Sequence, residues 1–268
     1  EWMLKSQRED GFFGPADNLD WWPRMVALKV LTQYAEATGD PRVIPFLDRY
    51  FRYQLQSLPA QPLSMWAAAR GQEELLPMLW LYRKTGEPYL LELAKLLRKQ
   101  SYDWGGFFTH FPYEKTTHSY LSRPLFLVAK RVTLIQDWTA KRIKKARIQQ
   151  GKPSTPPKSK TADEIEKGNA SPFLRAFHQT HGVNLAMALK MPALDALFGG
   201  DAGSFAAVEA GFEAIERYHG LANGLFSGDE HLNGRSPAVG AELCLAAELL
   251  FSLESLLAAT GDVRYAER

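Results

Sequence analysis

Apolar residues return every three or four positions through most of this chain, the period of helices that bury one face. The pattern predicts helices over about 24–36, 43–57, 73–84, 88–100, 182–190, 203–218 and 241–259. Few segments alternate strictly or concentrate β-branched residues as strands do. Three short stretches punctuate the helices: Ala37-Thr38-Gly39-Asp40-Pro41, Lys84-Thr85-Gly86-Glu87-Pro88 and Ala259-Thr260-Gly261-Asp262-Val263. Glycine supplies the left-handed residue that ends a helix, an acid favours the start of the next, and proline suits a first turn. The first two copies are spaced as a helical hairpin would be; the third fits the same period only if an insertion intervenes.

Repeated hairpins suggest an open solenoid or a closed toroid, an (α/α)-barrel with a concave centre. Aromatic residues beside glycine, proline or aspartate, among them Phe12, Phe13, Trp21, Trp22, Trp66, Trp104, Phe107 and Phe108, favour the toroid. Such rings can stack on the flat apolar faces of sugars. The expectation is therefore all-α: an incomplete (α/α)6-barrel forming one domain over 1–268.

With 46% hydrophobic and 23% charged residues, the composition is that of an ordinary globular protein. No apolar run is expected to cross a bilayer, so a membrane is not an expected partner. Net charge is +2, but residues 130–167 hold eleven Lys/Arg against four Asp/Glu. That stretch reads as a solvated, flexible basic insertion at about 130–170. The basic cluster at 141–158 lacks the interleaved aromatics that stack on bases, and nucleic acid is not an expected partner. The chain opens within one helical pattern, at Glu1-Trp2-Met3-Leu4-Lys5, and closes as another begins, at Tyr265-Ala266-Glu267-Arg268. A piece of a longer protein is expected.

Candidate chemistry is densest between Asp229 and Cys244. Asp229, Glu230 and His231 lie in a glycine-bounded turn, and Glu242-Leu243-Cys244 opens an apolar helix. Carboxylates can move protons, and a thiolate with carboxylates can hold zinc. A thiol near a helix start is also expected to be acidified. A buried cysteine beside a capping glutamate explains the same residues without chemistry. Asp20 precedes a helix as a cap would, while Arg24 can pair with an acid or a ligand carboxylate. His110 and His118 flank an aromatic loop. His178 and His181 open a helix, where a charged imidazolium is disfavoured.

Several of these segments together resemble glycoside hydrolase family 127, the zinc-dependent β-L-arabinofuranosidase-like enzymes, in a divergent bacterial branch. The resemblance rests on Asp10-Gly11-Phe12-Phe13-Gly14, Asp20-Trp21-Trp22-Pro23-Arg24-Met25, Glu36-Ala37-Thr38-Gly39-Asp40, Trp80-Leu81-Tyr82 and His181-Gly182-Val183-Asn184. It continues from Gly228-Asp229-Glu230-His231-Leu232 through Gly240-Ala241-Glu242-Leu243-Cys244. It implies an (α/α)6-barrel followed by β-sandwich domains, and a retaining hydrolase that removes terminal sugars from polysaccharide or glycan side chains. It also implies a zinc held by one glutamate and three cysteines, one of them the nucleophile from an adjacent Cys-Cys pair. Glu242 and Cys244 match the Glu-x-Cys zinc ligands. Glu230 matches the acid/base, with Asp229 its rival, and His181 matches a sugar-contacting histidine. Asp20, Trp22 and His231 complete the implied substrate-binding set. The Cys-Cys pair is absent, because Cys244 is the only cysteine. The remaining ligands would lie beyond Arg268, so zinc is expected to be weak or absent in this piece. Asp20-Trp21-Trp22 also stands where better-known members carry a histidine motif, which departs from arabinofuranoside specificity. A hydrolase or lyase using carboxylates alone, and a helical-repeat binding module, are the alternatives.

Overall fold

The structure, a computed structural model, describes residues 1–15, 18, 20–117, 131, 138, 142, 162–200 and 203–268. Most of the basic insertion therefore lies outside the described residues, as does His118.

Among the described residues the fold is all-α, with isolated β-bridges but no strand. The helices are α1 (Trp2–Lys5), α2 (Trp22–Thr38), α3 (Val43–Ser57), α4 (Trp66–Arg70), α5 (Leu75–Thr85), α6 (Tyr89–Gln100) and α7 (Trp104–Thr109). After the insertion come α8 (Ala162–Asn169), α9 (Pro172–Thr180), α10 (Gly182–Ala188), α11 (Met191–Leu197), α12 (Ser204–His219), α13 (Leu243–Thr260) and α14 (Arg264–Glu267). A 3-10 turn, Gly71–Glu74, joins α4 to α5. Two sequence-predicted helices are broken. The one over 73–84 begins as this 3-10 turn, and the one over 182–190 ends at Ala188, with Pro192 in the first turn of α11.

The threonine–glycine–acid punctuation forms the same structure three times. Gly39, Gly86 and Gly261 adopt left-handed φ values of 68°, 69° and 71°. Each N–H donates to the carbonyl four residues back at 2.8 Å, those of Ala35, Tyr82 and Leu257. Thr38, Thr85 and Thr260 each donate their hydroxyl to the carbonyl four residues earlier and accept the N–H two residues on. In two copies the acid goes further. Asp40 and Asp262 accept the N–H of Arg42 and Arg264 at 3.0 Å and pair with the same guanidinium at 2.6 Å.

Helix α13 corrects the expectation that no apolar run reaches bilayer length. Over its 18 residues mean hydropathy is 1.7, enough by length and composition to cross a membrane. Its inner face, Leu245, Leu249, Ser252, Leu253 and Leu256, is buried, and α10 is a principal packing partner. Leu243 and Leu250 are exposed.

Most of the loop aromatics belong to the core. Phe12, Phe13, Trp21, Trp104, Phe107 and Phe108 are all buried. Beneath them runs a charged chain. Lys190 is 1% exposed, and its ammonium donates to the buried Glu73 carboxylate, to Met187 O at 3.1 Å and to Ser252 Oγ at 3.2 Å. Lys29 Nζ, on α2, lies 3.1 Å from Glu73 Oε2 and 3.0 Å from Glu248 Oε2 on α13. Burial opposes charge on Glu73, but Lys190 and Lys29 outweigh it and hold its pKa below the usual carboxylate range. Removing one member of such a set strands a buried charge. Lys190→Met is therefore expected to cost about 3 kcal/mol or more in urea denaturation; a loss under about 1 kcal/mol would show the pair to be dispensable.

Candidate functional site

The face built by the starts of α2, α4 and α10, the end of α9 and the loop at 228–231 gathers most of the sequence-predicted residues. Backbone pairing sets the frame. His181 and His231 form an antiparallel bridge, Gly182 N donates to Glu230 O at 2.9 Å, and Leu232 N donates to Thr180 O at 2.8 Å. Gly182 and Gly228 are in close approach: a Cβ on either would sit 2.6 Å from Leu245 Cδ1 and 3.3 Å from the other's Cα. Glycine at both positions lets the loop reach the helix start.

This frame delivers Glu230 to His181. Glu230 Oε2 lies 3.3 Å from His181 Nε2, with the carboxylate side chain 71% exposed and the imidazole nearly buried. Glu230 has φ +69°, and Met65, next to Trp66, has φ +54°. These are the two non-glycine residues with positive φ among those described. Both conformations are costly for ordinary side chains, and such strain concentrates at functional sites.

Burial pushes His181 down to about 4, helped by the charges of Arg70 and His231 and opposed by Glu230. Its imidazole is thus neutral at pH 7. The tautomer that donates from Nε2 to Glu230 leaves Nδ1 as an acceptor, and that atom is buried without a partner. His178 is also pushed down to about 4, by burial first and then by Arg70, and shares a 2.9 Å hydrogen bond with Tyr102 Oη. His231 Nδ1 lies 3.0 Å from Thr180 Oγ1, and its ring packs against Phe177 at 4.5 Å.

The sequence reading missed the centre of the cluster. The Arg70 guanidinium lies over the rings of Trp22 at 4.2 Å and Trp66 at 4.6 Å. Its Nε donates to Asn184 Oδ1 at 2.6 Å, while Asn184 Nδ2 donates to His178 O. Trp66 also packs edge-on to His181 at 5.1 Å and tilted on His178 at 4.7 Å. The available signal was the spacing Trp66-x-x-x-Arg70, which puts both side chains on one face of a short helix.

Asp20 stands one residue before the N-cap, Trp21, and its carboxylate accepts Trp22 N–H at 3.0 Å. Arg24 holds the carbonyls of Phe13, Asp20 and Asn18 and pairs with no acid among the described residues. Asp229 accepts Gly240 N–H at 3.3 Å and so braces the loop. His110 is exposed, with its ring against Gly106 O, apart from the cluster.

Zinc is the expectation that fails. No group of three or more His, Cys, Asp or Glu able to hold a metal exists among the described residues. Nor is Cys244 an activated thiol. Desolvation and the hydrogen bond to Glu242 push it up, outweighing the backbone N–H groups of the helix start. A carboxylate neighbour favours the protonated thiol, whereas zinc binding needs the thiolate. Glu242 Oε1 is buried with no partner.

Two cavities lie elsewhere. One is apolar, between Leu189, Phe212, Leu249 and Leu253; another is lined by Asp103, Thr109 and Asp195. Neither contains a residue of the cluster, whose carboxylate stands open on the surface.

The chain matches no protein-family model, no curated protein and no solved structure. The all-α architecture is consistent with helical-hairpin glycosidases in general, and nothing ties the chain to family 127.

Two measurements check this site. Metal analysis of the purified chain is expected to find well under one zinc per molecule, with no loss of stability on chelation; a stoichiometric zinc would restore the metal reading. The second concerns His178. Its folded pKa lies below the unfolded value of 6.5, so its stabilising contribution is full above pH 6.5 and is lost as pH falls toward 4. The loss approaches roughly 3 kcal/mol near pH 4. In His178→Gln the stability curve is expected to be flatter across this window, and an unchanged slope contradicts the assignment.

Proposed function

We propose that this chain is the helical, toroid-forming part of a glycoside hydrolase that removes terminal sugars from glycan side chains, with Glu230 as its proton carrier. The observation that carries the reading is the Glu230–His181 pair. An exposed carboxylate is held in a strained backbone conformation against a buried, neutral imidazole, beside tryptophan rings. Cleavage of a glycosidic bond requires a proton on the departing oxygen as the anomeric carbon is attacked. Glu230 donates that proton. His181 Nε2–H then stabilises the carboxylate left behind, and the same carboxylate can take a proton from water.

Such hydrolysis uses a second carboxylate. Glu242 is the proposed one: its Oε1 has no partner, and its charge acts on Arg70. Asp229 is already engaged by Gly240. The protonated Cys244 thiol has no part in this scheme, which replaces the zinc–thiolate route by the carboxylate alternative. Arabinofuranoside specificity is no longer part of the reading, since it rested on the family.

The test is turnover of a panel of aryl glycosides and glycan side-chain oligosaccharides. Glu230→Gln is expected to lower kcat/KM by about a hundredfold or more with an unchanged melting temperature, while Cys244→Ala keeps near-full activity. Full activity in Glu230→Gln would overturn the reading. Sugar binding without turnover by the unaltered chain would favour a binding module.

A further inference from the structure

Arg70 is a charged side chain of this cluster whose bonding is incomplete. It is 9% exposed, yet only Nε has a protein acceptor, Asn184 Oδ1. No carboxylate is within ion-pair distance of it among the described residues. The other buried arginine and a half-buried one show what completion looks like: Arg24 gives three nitrogens to three backbone carbonyls, and Arg98 pairs with Asp195 at 2.9 Å. The terminal nitrogens of Arg70 have no such acceptors. They are not sealed off either, because neither is among the buried atoms that lack a partner.

A guanidinium fixed by stacking and by one hydrogen bond, with its fork left open, is a receptor for a planar anion. Its surroundings favour that use. Trp22 and Trp66 hold the plane, and Asn184 is itself anchored to His178 O. Of the acids whose charge acts on Arg70, Glu248 and Glu73 are already engaged by Lys29 and Lys190, leaving Glu242 and the thiol of Cys244. Trp66 touches both Arg70 and His181, and His181 holds Glu230. One ligand of sugar size lying against Trp66 can therefore meet the open guanidinium and the proposed proton carrier together.

We propose that Arg70 recognises a carboxylate on the sugar, so that the substrates of this site are uronic-acid glycosides. The proposal rests on the sugar-processing reading of the Glu230 site and names its substrate class. Two nitrogen–oxygen hydrogen bonds form between the guanidinium fork and the ring carboxylate, in place of water.

The test compares D-glucuronate, D-glucuronamide, D-glucose and inorganic phosphate, titrated into the intact chain at fixed ionic strength and followed by tryptophan fluorescence. Glucuronate and its amide differ only in the charged group, so the comparison needs no variant. Glucuronate is expected to bind about tenfold or more tighter than the amide or glucose. Arg70→Gln is expected to abolish the preference, so that glucuronate and the amide bind alike. Equal binding of acid and amide overturns the carboxylate proposal and leaves the glycosidase reading standing. Phosphate bound as tightly as glucuronate, with no response to glucose or the amide, makes Arg70 a simple anion site and overturns the proposal. Turnover of aryl glucuronides faster than aryl glucosides, lost in Glu230→Gln, supports both readings together.

Discussion

A buried lysine cannot stay charged without a counter-charge, and here that constraint organises the fold. Lys190 ends the α10 turn deep in the core and meets Glu73, 117 residues earlier. Glu73 must therefore be delivered inward, which the 3-10 turn after α4 does. Lys29 completes the neutralisation from α2 and passes the charge on to Glu248 of α13. Four segments distant in sequence are thereby fixed to one another. Arg70 sits one turn before Glu73, Trp22 two turns before Lys29, and Glu242 and Cys244 at the start of the helix that carries Glu248. The charged chain in the core and the cluster on the surface are thus two ends of the same elements.

Local chemistry was legible in the sequence to the extent that it acts over a few residues. The three Thr-Gly-acid stretches announced helix ends, and each formed the same left-handed cap with the same threonine bonds. Helices such as 43–57 followed directly from their apolar period. The break inside 182–190 was less visible, because Leu185 to Leu189 are apolar and buried and the one charged residue that follows, Lys190, is buried as well, leaving no exposed polar face to mark the change. The loop aromatics misled for a related reason: Phe12, Phe13, Trp21 and Phe108 flank turns in sequence but fill the core in space. Helix α13 was underestimated because Glu248 and Glu254 interrupt a run whose mean remains strongly apolar.

The site was half legible. Glu230, His181 and His231 stood out as chemical residue types near turns, and backbone pairing between 181 and 231 brings them together. Arg70 and Asn184, 114 residues apart, could not be joined by any local pattern. The zinc expectation came from the family resemblance, in which Glu242 and Cys244 match two of the ligands. Position suggested an acidified thiol; the contact suggests the reverse, because a carboxylate that accepts from a thiol keeps it protonated. Asp20 and Asp229 show the commoner fate of candidate acids, each bonded to a backbone N–H, one beside a helix start and one within a loop.

The central claim is that Glu230, His181 and Arg70 form one sugar-processing site. The most direct measurement is a crystal structure of the Glu230→Gln chain soaked with a uronic-acid disaccharide. The account predicts the glycosidic oxygen within hydrogen-bonding distance of the side chain at 230 and the sugar carboxylate on the Arg70 fork. Density for the sugar at another place on the molecule, or none at saturating concentration, would contradict it.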